Sequence, residues 1–235
     1  MLCAKPGMAV KRLTSANLSS IGEHGQRSLA ACRIGVAGLG GVGGIAFELL
    51  VRAGVGSMNI SDSGFFEQSN ANRQSLWSFC NDGREKAVVA LEAATQANPA
   101  CKISSFPAIT RSNSAAFARG CSAVIDATDS PSSRTAVFSG CRRAAVPYIF
   151  ASARGRRGML SVFCGQDFEK EFALRHARQR QRPACDHALG PVANAMGCLA
   201  AQQAINLVLA KPAILFPKII SFDAFSKMPF AVHNF

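Results

Sequence analysis

The sequence predicts an α/β fold in which a mostly parallel sheet carries helices on both faces and gains antiparallel strands towards its C-terminal end. Three observations predict it. Short apolar runs alternate with helical patterns from Arg33 to Phe150, as in right-handed βαβ crossovers. A glycine-rich stretch stands between the first such run and the first helical pattern. Beyond Phe150 the alternation gives way to further strand-like runs around one long uncharged segment.

Taken in order, a helix over Glu23–Ala31 leads into the core, with Gly22 and the serines ahead of it forming its turn. Strands are expected at 33–38, 57–62, 102–106, 123–127 and 147–150, and helices at 43–52, 84–96, 112–119 and 132–144. Met159–Cys164, Lys218–Asp223 and Met228–His233 read as strands that extend the sheet antiparallel. Ala188–Ala210 is uncharged and long enough to span a bilayer, but Pro191, Asn194, Gln202, Gln203 and Asn206 interrupt it. A core helix from about Pro191 is the expectation, with no membrane partner. No repeat or low-complexity stretch calls for a second domain. The chain therefore reads as one domain over 1–235, with an N-terminal helical extension (1–32), a nucleotide-binding core (33–150) and a substrate-side region with the C-terminal strands (151–235).

Composition narrows the class. The nine cysteines are odd in number and include no C-x-x-C pair, so they read as reduced thiols, mostly small buried hydrophobes, in a cytoplasmic protein. The opening residues hold no apolar run of signal-peptide length, and export is not expected. A net charge of +12 favours anionic partners such as nucleotides, acidic protein tails or RNA. The excess is concentrated between Arg154 and Arg182.

Gly38-Leu39-Gly40-Gly41-Val42-Gly43-Gly44 follows a strand and opens a helix, the context in which G-x-G-x-x-G carries meaning. Glycine allows the tight turn and brings backbone N–H groups and the helix N-terminus against a phosphate. Asp62 ends the next strand about 20 residues on, where an acid can accept hydrogen bonds from ribose hydroxyls. The Rossmann-like pattern alone favours an NAD-dependent dehydrogenase. The polar stretch Glu67–Gln74 turns the reading towards ATP: it leaves the sheet where a loop can reach the crevice, and it carries Asn70 and Arg73, both able to bond phosphate. Lys86 lies near the start of the next helix, and Asp129 follows a strand end where a carboxylate could hold Mg²⁺.

With these residues in view, the chain resembles the ThiF/MoeB/HesA family, relatives of the ubiquitin-activating enzymes. The likeness runs from Ile21 to about Phe230 and rests on several fragments in order. They are Ile21-Gly22-Glu23 with Gly25-Gln26, the glycine loop, Ala53-Gly54-Val55-Gly56, Ser69–Gln74, Lys86, Asn98-Pro99, Ile125–Asp129, Gly190-Pro191-Val192 and Ile220–Ala224. The resemblance implies adenylation of a carboxylate by MgATP, usually the C-terminal glycine of a small ubiquitin-like or sulfur-carrier protein. By motif match, Gly38, Gly40, Gly41 and Gly43 cradle the nucleotide, Asp62 takes the ribose, and Asn70, Arg73 and Lys86 take the phosphates. Asp129 takes Mg²⁺, and Cys185 is a candidate thiol for a covalent link to the carrier. The resemblance also implies a homodimer. The family's phosphate-reaching N-terminal arginine, however, falls on Thr14 here, with Lys11 and Arg12 as possible substitutes, and the second acid after Asp62 is Gly64. The two C-x-x-C pairs that bind zinc in many relatives are missing, so no zinc is expected. Other readings are adenylation of a different carboxylate, such as a modified tRNA base or a peptide terminus, and a non-catalytic ATP-binding scaffold.

Overall fold

The computed structural model describes residues 13–168, 170 and 187–235. Its centre is one 8-stranded sheet in the order β3-β2-β1-β4-β5-β6-β7-β8. The strands are β1 (Arg33–Ala37), β2 (Ser57–Ser61), β3 (Lys102–Phe106), β4 (Ala123–Asp126), β5 (Tyr148–Arg154), β6 (Arg157–Phe163), β7 (Lys218–Asp223) and β8 (Phe230–Asn234). From β3 through β5 all neighbours run parallel, and from β5 to β8 all run antiparallel. The fold class is therefore as the sequence predicts.

Among the described residues four helices fall within the strand–helix alternation, one precedes it and one follows it: α1 (Leu18–Ala31), α2 (Gly41–Arg52), α3 (Lys86–Ala97), α4 (Ser114–Ala118), α5 (Pro131–Ala144) and α6 (Gly190–Val208). Reading Gly22 as the start of the first helix is corrected here. The chain is already helical from Leu18, and Gly22, at φ 65° and ψ 174°, kinks the helix rather than opening it. Helix α5 starts at Pro131 behind Ser130, whose hydroxyl accepts the N–H of Ser133 at 3.1 Å, a serine cap with proline at the first position.

Parallel strands covered on both sides read as continuous apolar text because both faces are buried. On one face Ile34, Val36, Met58, Ile60 and Ile125 meet Phe47 and Leu50 of α2 and Met196 and Ala200 of α6. On the other, Val124, Tyr148 and Phe163 meet Phe117, Phe138 and Phe168. Each fully buried large side chain contributes about 1.5–3 kcal/mol. Helices α2 and α6 approach closely because Gly197 has no side chain; a Cβ there would overlap the carbonyl oxygen of Val42 and the side chain of Ile45.

The uncharged segment is α6, with Pro191 in its first turn. Its polar residues are structural: Gln203 is buried and accepts the N–H of Ile214 at 2.8 Å, and Gln202 donates to Asn206 at 2.8 Å. Among the described residues no helix is long and apolar enough to cross a membrane. The cysteines are less uniformly buried than expected. Cys32, Cys121 and Cys141 are buried, whereas Cys80, Cys164 and Cys198 are exposed. Burial pushes the Cys32 thiol up to about 11 and the Cys121 thiol to about 12.

Candidate active site

In an open α/β sheet, ligands bind beyond the carboxyl ends of the strands where the strand order reverses. Here that point lies between β1 and β4, and the chain leaves β1 there as the glycine loop. Gly38 adopts φ +86°, and a Cβ on it would come within 2.8 Å of the Ala127 carbonyl oxygen at the end of β4. A Cβ on Gly43 would overlap the carbonyl oxygen of Gly38. The loop thus folds onto itself and onto β4 at a separation only glycine allows. Gly40 is the N-cap of α2 and offers no side-chain cap, so no described side chain caps the first N–H groups of α2.

Asp62 sits just past β2. Its Oδ2 accepts the N–H of Leu39 at 2.6 Å and its Oδ1 the N–H of Gly64 at 2.7 Å. The carboxylate therefore ties the glycine loop to the turn after β2. Lys86 begins α3, and its Nζ lies 3.6 Å from where a Cβ on Gly64 would stand, in the space beside Asp62. That ammonium also sits 5.8 Å from the Phe66 ring centroid.

The polar stretch forms a short 3-10 turn at Gln68–Asn70 that folds over the start of α2. A Cβ on Gly41 would lie 3.1 Å from the Arg73 carbonyl oxygen and 3.2 Å from its Cγ. The Arg73 guanidinium is half-buried; its Nη1 donates to Ser69 O and Asn72 Oδ1, both at 2.8 Å, and Nη2 lies 3.3 Å from His187 Nδ1. Burial lowers its pKa somewhat from the usual guanidinium value, yet the group stays a cation. Asn70 is buried, and its amide joins the turn: Oδ1 accepts the Glu67 N–H at 3.3 Å and Nδ2 donates to Ser69 Oγ at 3.2 Å.

Beyond β4, Asp129 is exposed and makes no hydrogen bond or ion pair with a described residue. Asp126, three residues earlier, is fully buried. Its Oδ2 accepts from Tyr148 Oη at 2.5 Å and its Oδ1 from Thr128 N and Oγ1 at 2.9 and 2.7 Å, with Arg134 Nη1 3.9 Å away. Burial, and then the Asp126 charge, hold the Tyr148 phenol well above its ordinary value. This cluster fixes the strand end from which Asp129 projects.

The structure thus draws Gly38, Gly40, Gly41, Gly43, Asp62, Arg73 and Lys86 to one crevice, sets Asp129 on its rim and turns Asn70 into the loop. Cys185, Lys11, Arg12 and the four arginines from 175 to 182 lie outside the described residues. Within the basic stretch, Arg156 and Arg157 both pair with Asp223, at 3.2 and 3.1 Å. Two residues of the crevice went unassigned in the sequence. Gln74 is buried beside Gly40. Asn194 on α6, its amide oriented by its neighbours, donates to the carbonyls of Arg73 and Gly41 at 3.2 Å each. An asparagine inside an uncharged helix was the available signal for the second.

The profile of the ThiF family matches residues 13–234. The chain belongs to the ThiF family. Among relatives, it is 31% identical over 204 residues to the molybdopterin-synthase adenylyltransferase of Escherichia coli (strain K12), covering 85% of this chain and 82% of that one. It is 27% identical to an adenylyltransferase and sulfurtransferase of Drosophila virilis, over 89% of this chain and 48% of that longer one. Among solved structures, E. coli MccB with ATP superposes at a TM-score of 0.76 with 19% identity, over 94% of this chain and 70% of that one, a likeness of fold.

Proposed function

We propose that this chain is an ATP-dependent adenylyltransferase acting on the C-terminal glycine carboxylate of a small ubiquitin-like or sulfur-carrier protein. The observation that carries the reading is the packing of the Arg73 carbonyl and Cγ against Gly41, which seats a cation-bearing residue beside a helix N-terminus that favours phosphate. The names of the relatives support it.

In the reaction, a carboxylate oxygen of the carrier attacks the α-phosphorus of ATP. The bond from that phosphorus to the bridging oxygen breaks, and pyrophosphate leaves with the electron pair, giving an acyl adenylate. The attacking group is already ionised at neutral pH, so no general base is required. The difficulty is an anion approaching a polyanion. In our reading the α2 N-terminus, Arg73 and Lys86 offset that repulsion and hold the phosphates in line, while Asp62 keeps the loop in place and takes the ribose. Asn70 supports this by shaping the turn that carries Arg73. Asp129 suits Mg²⁺, which takes one or two carboxylates together with waters and substrate phosphates; when bound, the ion would neutralise phosphate charge.

A homodimer forms part of the proposal. Thr14 is buried against Gly54, beyond the far end of α2 from the glycine loop. That helix is about 18 Å long, so position 14 stands well away from its own glycine loop, and our reading is that this end of the chain serves the loop of a second copy. Cys185 remains our candidate for a covalent link to the carrier. A second reading, adenylation of a modified tRNA base or a peptide terminus, draws on the net charge of +12. Pyrophosphate exchange tests both: exchange is expected with a carrier ending in Gly-Gly. Absence of exchange with every such partner, alongside exchange that depends on tRNA or a peptide, would replace the first reading by the second.

A further inference from the structure

We propose that Gln74 contacts the nucleotide, its side-chain amide donating to the ATP polyphosphate at the mouth of the glycine loop. The proposal rests on the adenylation reading and adds a residue to that site.

Gln74 is only 6% exposed, yet its amide oxygen is buried without a hydrogen-bond partner. Its nitrogen, unlike the oxygen, is not fully buried; it bonds to no described residue and lies 3.9 Å from where a Cβ on Gly40 would stand. Among the described residues no other heavy atom outside the loop's own neighbours comes that close to this position. A buried amide can make up to four hydrogen bonds, and native proteins rarely leave one with none.

The placement is rigid. The Gln74 N–H donates to the Asn70 carbonyl at 3.0 Å, and its carbonyl accepts the Trp77 N–H at 3.0 Å. The Arg73 carbonyl just before it is held, together with that of Gly41, by Asn194. A fixed turn therefore aims an unpartnered amide at the uncapped N-terminus of α2, which runs for 12 residues. Phosphate oxygens seated on the free N–H groups of that helix would supply the acceptor that Nε2 lacks. Arg73 and Gln74 then divide the task, the arginine providing charge and the glutamine a directional bond without charge.

The Gln74→Met variant keeps an unbranched side chain and removes the amide. Calorimetric titration with MgATP should show affinity weakened about tenfold, equivalent to about 1.4 kcal/mol, with the salt dependence of binding unchanged. The melting temperature of the ligand-free protein should hold or rise, because an unpartnered buried group has been removed. A residue that merely braced the loop would do the reverse. An affinity within twofold of the unaltered chain, or a drop in melting temperature without loss of affinity, overturns the proposal. If the methionine variant does not fold, Gln74→Glu decides instead. Its carboxylate should weaken MgATP far more than adenosine, and an equal effect on both overturns the assignment. An unaltered chain that exchanges pyrophosphate while the variants bind MgATP normally removes Gln74 alone; one that binds no MgATP removes the adenylation reading with it.

Discussion

The two halves of the sheet are built to different rules. From β3 to β5 the strands are parallel; the central β1 and β4 lie between helices, and Ile34, Val36, Val124 and Ile125 are fully buried. From β6 to β8 they are antiparallel, and the five residues of β8 are all exposed, as are Phe225 and Met228 before it. The parallel half spends its side chains on packing and leaves chemistry to the loops at its carboxyl edge. In the antiparallel half Leu160, Val162 and Ile219 are still fully buried, and only β8 presents its side chains on an open face. A substitution in the first half should therefore act on folding or on turnover, depending on whether it lies in a strand layer or a loop, and one in β8 on neither.

Phe47→Ala should produce the largest loss, about 3–5 kcal/mol of unfolding free energy, because Phe47 is fully buried between α2 and the sheet. Urea titration measures it; a loss below about 1 kcal/mol would mean that the parallel core is looser than its burial implies. Next, Arg73→Ala should lower pyrophosphate exchange by roughly 10²-fold or more, about 3 kcal/mol, with little change in melting temperature. Near-normal exchange would sink the role given to Arg73.

Tyr148→Phe comes third, at about 1–3 kcal/mol, since Asp126 Oδ2 would lose a buried donor. It also carries a pH signature. The folded state holds the phenol protonated above its ordinary pKa of 10.0, so stability is complete below that pH and falls as pH rises through it. Cys32 and Cys121, with thiols raised to about 11 and about 12 from 9.0, add to the same alkaline loss. Removing the phenol should flatten the fall above pH 10, and an unchanged slope would count against the cluster as its source. Val232→Ser on β8, 57% exposed, should change stability by no more than about 0.5 kcal/mol.

The sequence was most legible where chemistry is local. The glycine loop, Asp62 and Lys86 could be found because a strand, a turn and a helix start are each written in consecutive residues, and their order supplied the rest. The start of α1 was misread because a glycine that breaks a helix looks, in one dimension, like one that opens it. The pairing of Tyr148 with Asp126 needs the register of β4 against β5, in which Val124 faces Tyr148, and no local pattern encodes that. Asn194 stood out as a polar residue in an uncharged helix, but its partners, Arg73 and Gly41, lie far away in the chain. Asp62 was read for the ribose alone; its bonds to Leu39 and Gly64 belong to tertiary structure.

Those two bonds give the carboxylate a second consequence. Because Asp62 ties both the glycine loop and the turn after β2 through bonds within the chain itself, the cradle is held by its own residues and does not depend on a guest for these contacts. Binding then need not order this stretch of chain, and the heat-capacity change should reflect the apolar surface that adenine covers rather than the folding of a loop.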